Sequence, residues 1–259
     1  MTYRDATNTG YRPLRRVDGD VTITTPNTVI EGIDLHGALT IKAKYCIVRG
    51  SILRGGKPIT SGSNGILSIV EGGADYLVSD VTLLPEFPNV RQDGIKVNQP
   101  GIFRSIDLSG TADGMTIYGD GVTVEDSYLH HFVTYASDPA HGGGPSHSDA
   151  IAVQAGRWVT VRRSTIQGAN NAAIIVTQDA GPVGDLVVDD CDIDGGAVSI
   201  NVVTKGNTIS GMKVTNSRFG RGQRVVGGAI MANPRHALIS VAGSVWADTK
   251  QPIAVMRGA

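Results

Sequence analysis

The sequence predicts an all-β chain, a single-domain right-handed parallel β-helix of about nine coils, and three observations carry that prediction. Glycine supplies 34 of the 259 residues and charged residues only 18%, a composition of many tight turns and few solvated helix faces. A short β-branched run, a polar step and an apolar close recur along nearly the whole length. No window carries an apolar stripe of helical period long enough to form a helix.

The first recurring series reads "TVIEGIDL", "CIVRGSIL", "LVSDVTL", "IFRSIDL", "VTVEDSYL", "VTVRRSTI", "LVVDDCDI", "MKVTNSRF" and "LISVAGSVW". Its last residues run from Leu35 to Trp246 at intervals of 18, 30, 25, 21, 37, 27, 26 and 27 residues. A second series interleaves with it: "GALTI", "GILSI", "DGIKV", "DGMTI", "DAIAV", "AAIIV", "GAVSI", "GGAIM" and "PIAV". Two interleaved series at one variable period describe a single unit repeated about nine times. Each unit holds two or three short strands separated by Gly, Asn, Asp or Ser. Without helices or hairpin signals such units stack in parallel, at about 4.8 Å per rung. Propeller blades run nearer 40 residues, and a Greek-key sandwich lacks the repeat. Residues 1–20 read as an N-terminal cap or arm, and 21–259 as the β-helix with a long loop inserted at 130–148. The register separates Cys46 from Cys191 by about five rungs, roughly 24 Å. A disulfide spans about 7 Å at most, so both read as buried free thiols.

A net charge of −1 without a Lys/Arg cluster leaves no electrostatic footprint for nucleic acid or for an anionic membrane. The opening "MTYRDATNTGYRPLRR" has no apolar stretch behind its charges, so no signal peptide is expected in this chain, and no run of about 18 apolar residues follows. Work in the cytoplasm, excision from a longer chain, or release by lysis are the routes compatible with that reading.

Irregular coil lengths in a solenoid mark loops that leave the rod. The longest interval contains "HHFVTYASDPAHGGGPSHS", with four of the six histidines: His130, His131, His141 and His147. Tyr118, Tyr128, Phe132, Tyr135 and Trp158 lie within or beside it, five of the 13 aromatic residues. Histidines and aromatics gathered in a long loop suit a ligand mouth. Beneath it Asp93, Asp113 and Asp149 each precede a strand by the same offset, so neighbouring rungs bring them to about 5 Å. At an effective dielectric near 20 such a pair repels by roughly 3 kcal/mol, which holds one proton well above the usual carboxylate range. One acid and one base at neutral pH is what glycoside hydrolysis requires.

The same aspartates also suit Asx turns in the bends before the strands, and strict alternation would point Asp93 inward with Ile95. Asp149 is the leading functional candidate because the loop delivers His147 two residues before it. Lys96 reads as a solvated lysine or, with a depressed pKa, as a lyase base. A metal held by His130, His131, His141, His147 and Asp149 matches no familiar zinc spacing. Calcium between the stacked aspartates is the other metal reading.

These segments carry a resemblance. The whole chain resembles the pectate-lyase-like superfamily of right-handed parallel β-helices. "TPNTVIEGIDLHG", "DPAHGGGPSHSDA" and "GANNAAIIVTQDAGP" are similar to short β-helix proteins of bacteria and of their phages' tail genes, over roughly residues 20 to 250. "QDGIKV" and "SDAIAVQAGRWVTVRRSTI" resemble the polygalacturonase-like hydrolases more distantly. On that similarity Asp93 matches the first catalytic aspartate and Asp149 one of the paired aspartates, with Ser148 in place of the other. That family's Gly-His-Gly near Ala172 and its Arg-Ile-Lys are missing.

The resemblance implies a glycan-interacting phage tail component, in the virion or extracellular, that binds and can cleave a cell-surface polysaccharide. In that expectation Asp149 with Asp113 or Asp93 does acid and base work and His147 shares the proton. Tyr135, Phe132 and Trp158 stack on sugars, while His130, His131, His141 and Lys96 bind them. Self-association or docking onto other virion proteins would cover the terminal strand "QPIAVMRGA", whose edge is otherwise open. A non-catalytic assembly protein and a bacterial glycosidase or polysaccharide lyase are the other readings.

Overall fold

The computed structural model describes residues 15–233 and 235–258, and the parallel β-helix predicted above is what forms. Every strand-to-strand ladder among the described residues is parallel; the one antiparallel contact is an isolated bridge between Val245 and Pro252. One face of the rod is a ten-stranded sheet that runs from Val21–Ile23 to Val255–Arg257. Its strands include Gln92–Val97, Met115–Ile117 and Asp149–Val153, which will concern the site. The other face is an eighteen-stranded array built from the first recurring series.

The ten strands exceed the nine expected coils by one. The additional coil is the N-terminal one: Arg15–Asp18 pairs with Ile33–His36, and Val21–Ile23 pairs with Leu39–Ile41. The first β-helix strand among the described residues is therefore at Arg15, inside the segment read as a cap. The part of the expected cap at 1–14 lies outside the described residues.

Each turn of the larger face bends at one residue in the left-handed region. That column is Gly32, Gly50, Asp80, Ser105, Asp126, Arg163, Asp190, Asn216 and Gly243. The residue after each is buried, and in five coils it is Ser: Ser51, Ser127, Ser164, Ser217 and Ser244. Ser127 shows why. Its Oγ donates to the Glu125 carbonyl at 2.7 Å and accepts the Ile106 amide of the preceding coil at 3.0 Å. Ser164 in turn accepts the Ser127 amide, so the hydroxyls satisfy backbone amides that the bend takes out of the ladder. Cys191 occupies the same column, and burial pushes its thiol up to about 12. Both cysteines are free and buried, as expected.

Between the faces lies one continuous apolar core, with Phe103, Phe219 and a file of Leu, Ile and Val side chains fully buried. Among the described residues the sole helical segment is a three-residue 3-10 turn, Pro139–His141, in the inserted loop. That loop leaves the larger face after Tyr128–His130 and re-enters the smaller one at Asp149.

Candidate active site

The corner where the chain enters the smaller face decides which way the aspartates point. Two consecutive residues are buried there in successive coils: Ile66 and Leu67, Gly94 and Ile95, Gly114 and Met115, Ala150 and Ile151. Alternation is therefore broken at the bend, and Asp93 and Asp113 turn outward although their parity matches the inward side chains. A Cβ on Gly94 would lie 2.3 Å from Leu108 Cδ1, and one on Gly114 would lie 2.3 Å from the Ala150 carbonyl oxygen. Glycine after Asp93 and Asp113 is thus required by close approach, and it is what frees these carboxylates to face out.

They face a cleft of about 450 Å³. Its floor is Asp93, Lys96, Asp113, Thr116 and Tyr118; its rim carries Ser63, Arg91, Asp138 and His141. The register aligns Met115 with both Ile95 and Ile151, which stacks Asp93, Asp113 and Asp149 on neighbouring rungs.

The three carboxyl groups have different surroundings. Asp93, 7% exposed, sits 3.1 Å from Lys96 Nζ; burial raises its pKa, and the Lys96 charge opposes that rise. Lys96 also donates to Ser63 Oγ. Asp113 makes no ion pair among the described residues, and the Lys96 charge opposes its rise only weakly, after every other cause. Its Oδ1 accepts the Asp149 amide at 2.9 Å, and burial, followed by the charges of Asp93 and Asp149, pushes it up to about 8. Mutual repulsion, the cause anticipated from sequence, is real but ranks below burial. Asp149 is raised by burial to about 6, opposed by hydrogen bonds from Asn171 and from the Ala172 amide. Asn171 Nδ2 donates to its Oδ1 at 2.8 Å.

Several expected site residues fall elsewhere. Asp149 does not line the cleft: it is buried, and Asn171 and Ala172 occupy its oxygen acceptors. His147 is exposed, with its ring 4.2 Å from that of His141, and stands outside the cleft as well. Lys96 is not a solvated lysine; its partner is Asp93 three residues back along its own strand. Phe132 belongs to the hydrophobic core, packed where a Cβ on Gly114 would be, and presents no face to a sugar. Tyr135 is half-buried in the neck of the loop, where its backbone exchanges two hydrogen bonds with Ser146.

Trp158 is 60% exposed at a left-handed corner outside the cleft, where the Arg157 guanidinium lies 5.3 Å from its ring. His130 lies on the larger face, stacked 3.8 Å from Tyr128 and 2.8 Å from Asp107, with its second nitrogen facing His131. The two adjacent histidines meet because His131 takes a left-handed backbone, which strict strand alternation does not allow. Among the described residues no group of three or more His, Cys, Asp or Glu side chains is placed to hold a metal ion.

His141 does reach the rim, and the loop explains how. Asp138 Oδ1 accepts the Ala140 amide at 2.8 Å and its Oδ2 bonds His141 Nδ1 at 2.6 Å. Gly142 and Gly143 follow with φ of 65° and 85°, so the glycine run turns the chain back under the histidine. Tyr118, read from sequence as one of the aromatics of a ligand mouth, does line the cleft; Asp138, Arg91, Thr116 and Ser63 were not singled out as ligand contacts. Thr116 had a usable signal, an outward position one rung from Lys96; Arg91, Ser63 and Asp138 lie on loops, where no period reports direction.

No protein-family model matches the chain, and no curated protein matches it. Among solved structures it is similar to a tailspike protein of Acinetobacter baumannii bacteriophage Fri1, a capsular polysaccharide depolymerase. That match has 10% identity and a TM-score of 0.41 over 90% of this chain and 58% of the other. It is also similar to the catalytic domain of a GH87 α-1,3-glucanase in complex with tetrasaccharides. There the identity is 11% and the TM-score 0.35, over 98% of this chain and 65% of the other. The chain thus spans less than two thirds of either structure. Among the described residues no helix is long and apolar enough to cross a membrane.

Proposed function

We propose that the chain is a glycan-cleaving β-helix of a phage tail, acting on a cell-surface polysaccharide in the cleft between Asp93 and Asp113. One observation carries the reading: two carboxyl groups on adjacent rungs face the same cleft, one in an ion pair with Lys96 and the other in no ion pair among the described residues. Such a pair divides acid from base at neutral pH. Asp113, with its pKa near 8, holds the proton and donates it to the leaving glycosidic oxygen. Asp93, whose ionised form Lys96 stabilises, attacks the anomeric carbon as the C–O bond breaks. Water then releases the glycosyl group as Asp113 takes the proton back. Attack by Asp93 itself, rather than by water, makes the reaction a double displacement with retained configuration. Arg91, Tyr118 and the Asp138-held His141 offer hydrogen bonds to sugar hydroxyls around the bond.

The cleft, rather than the likeness to the tailspike and the glucanase, supports this reading. The test is incubation of the purified chain with capsular and cell-wall glycans from a panel of bacterial hosts, followed by mass spectrometry of released oligosaccharides. Fragments from the wild type that are absent with Asp113→Asn are expected, with the anomeric configuration of the fresh product retained by NMR. An unsaturated product would replace hydrolysis by elimination, and no fragments from any glycan would overturn cleavage. Self-association or docking onto other virion chains is the partner half of the proposal. Sedimentation of the purified chain tests it.

A further inference from the structure

The corner that carries Asp93 and Asp113 continues toward the N-terminus, and a second hollow of about 500 Å³ lies along it. Its residues come from four successive corners of the rod: Asp20, His36, Lys57 and then Glu86 with Phe87. Two protruding loops join it to the cleft. The first gives Gly55, Gly56 and Lys57 to the hollow, and Gly62 and Ser63 to the cleft. The second gives Glu86 and Phe87 to the hollow, and Val90 and Arg91 to the cleft. The two cavities are therefore neighbours on one edge, with centres about two rungs, or roughly 10 Å, apart. A short oligosaccharide covers that span.

The chemistry of the hollow is that of a sugar site. Phe87 is 39% exposed and offers an apolar ring at the mouth. Around it the polar groups are pre-set. His36 Nδ1 is 2.8 Å from Glu86 Oε2, and its Nε2 is 3.5 Å from Asp34, which Arg54 holds through both oxygens. Asp20 Oδ1 accepts the Ala38 amide at 2.8 Å, so its direction is fixed by backbone. Beneath the floor lies Gln92, 1% exposed, which touches Gly55 and donates to the Gly56 carbonyl at 3.5 Å. Its Oε1 is buried without a hydrogen-bond partner among the described residues. An apolar ring beside a few oriented donors and acceptors is how a concave site fixes a hydroxyl-rich ligand. Arg16 and Lys57 face three carboxylates, Asp18, Asp20 and Glu86, an excess of negative charge that favours a neutral pyranose over an anionic group.

We propose that this hollow is a second glycan subsite, holding a pyranose a few residues along the same polysaccharide whose scissile bond lies at Asp93 and Asp113. It rests on the glycan reading of the cleft and adds to it a requirement for chain length. Remote binding of this kind raises affinity for long substrates and leaves short ones unaided.

The experiment is a titration of the wild type, Phe87→Ala and Lys57→Ala with size-fractionated oligosaccharides, from disaccharides to decasaccharides, prepared from the same capsular and cell-wall glycans. The readout is the ratio of long-fragment to short-fragment affinity. The wild type is expected to gain at least tenfold once the fragment is long enough to span both cavities, and Phe87→Ala is expected to lose most of that gain. Phe87→Trp should keep it, which separates an aromatic platform from a loop merely disturbed. Affinity that does not rise with length, or rises equally in Phe87→Ala, overturns the subsite while leaving the cleft reading intact. Failure of every fragment to bind overturns both.

Discussion

Replacing Asp113 by Asn removes a charge that the fold pays to bury, and the consequence depends on pH. In the unfolded chain this carboxyl group releases its proton near 3.8; in the folded chain it holds it to about 8. Between those values the folded state binds more protons, so stability falls as pH rises through the window and levels off above it. About four pH units at 1.36 kcal/mol each set an upper bound of about 6 kcal/mol. Water reaches the cleft and shares the field, so an effect of about 2–3 kcal/mol is expected.

Asn keeps an oxygen for the Asp149 amide and cannot ionise. Asp113→Asn should therefore match the wild type near pH 4 and become more stable than it by about 2–3 kcal/mol near pH 8.5. Urea unfolding followed by circular dichroism at several pH values measures this, with glycan cleavage abolished throughout. A stability difference that stays flat across the range would show that Asp113 does not titrate there, and the assignment of the proton donor would fall with it.

Three further outcomes follow from the same structure. Lys96→Met leaves the Asp93 carboxylate without its cation, and is expected to cost about 2–4 kcal/mol in urea unfolding at neutral pH, with the loss shrinking as Asp93 is protonated in acid. Ser127→Ala strands the Ile106 amide in the core and should cost about 1–3 kcal/mol by the same measurement; a neutral result would mean that the serine column is not what satisfies the bend. Trp158→Gly places at a φ of 58° the residue that tolerates it, and should raise stability by up to about 1 kcal/mol without changing affinity for any oligosaccharide; a loss of affinity would restore Trp158 to the site.

The repeat was legible because a solenoid writes its geometry locally. Every coil needs a residue that accepts the left-handed corner and a small or apolar residue to follow it, and "EGID", "RGSI", "EDSY" and "TNSR" show that pair without any tertiary knowledge. Stacking then puts residues of equal offset on neighbouring rungs, so the alignment of Asp93, Asp113 and Asp149 was also written in the chain, as was the burial of both thiols. The inserted loop was legible too, because it breaks the period.

Which of those aspartates faces the cleft depends on where the chain bends. Two consecutive buried residues reset the alternation at Gly94 and Gly114, and a period of two cannot report its own interruption. The loop decided the rest. Its Asp138 and His141 close over the Asp93 and Asp113 side, while Asn171 from the following coil occupies Asp149, and Phe132 sinks into the core instead of meeting a sugar. Sequence alone determined the rod, its register and the stack of carboxyl groups, because each follows from contacts one coil away. The tertiary structure alone decided which carboxyl keeps its proton. Burial and the reach of a lysine depend on loops whose direction no periodicity encodes.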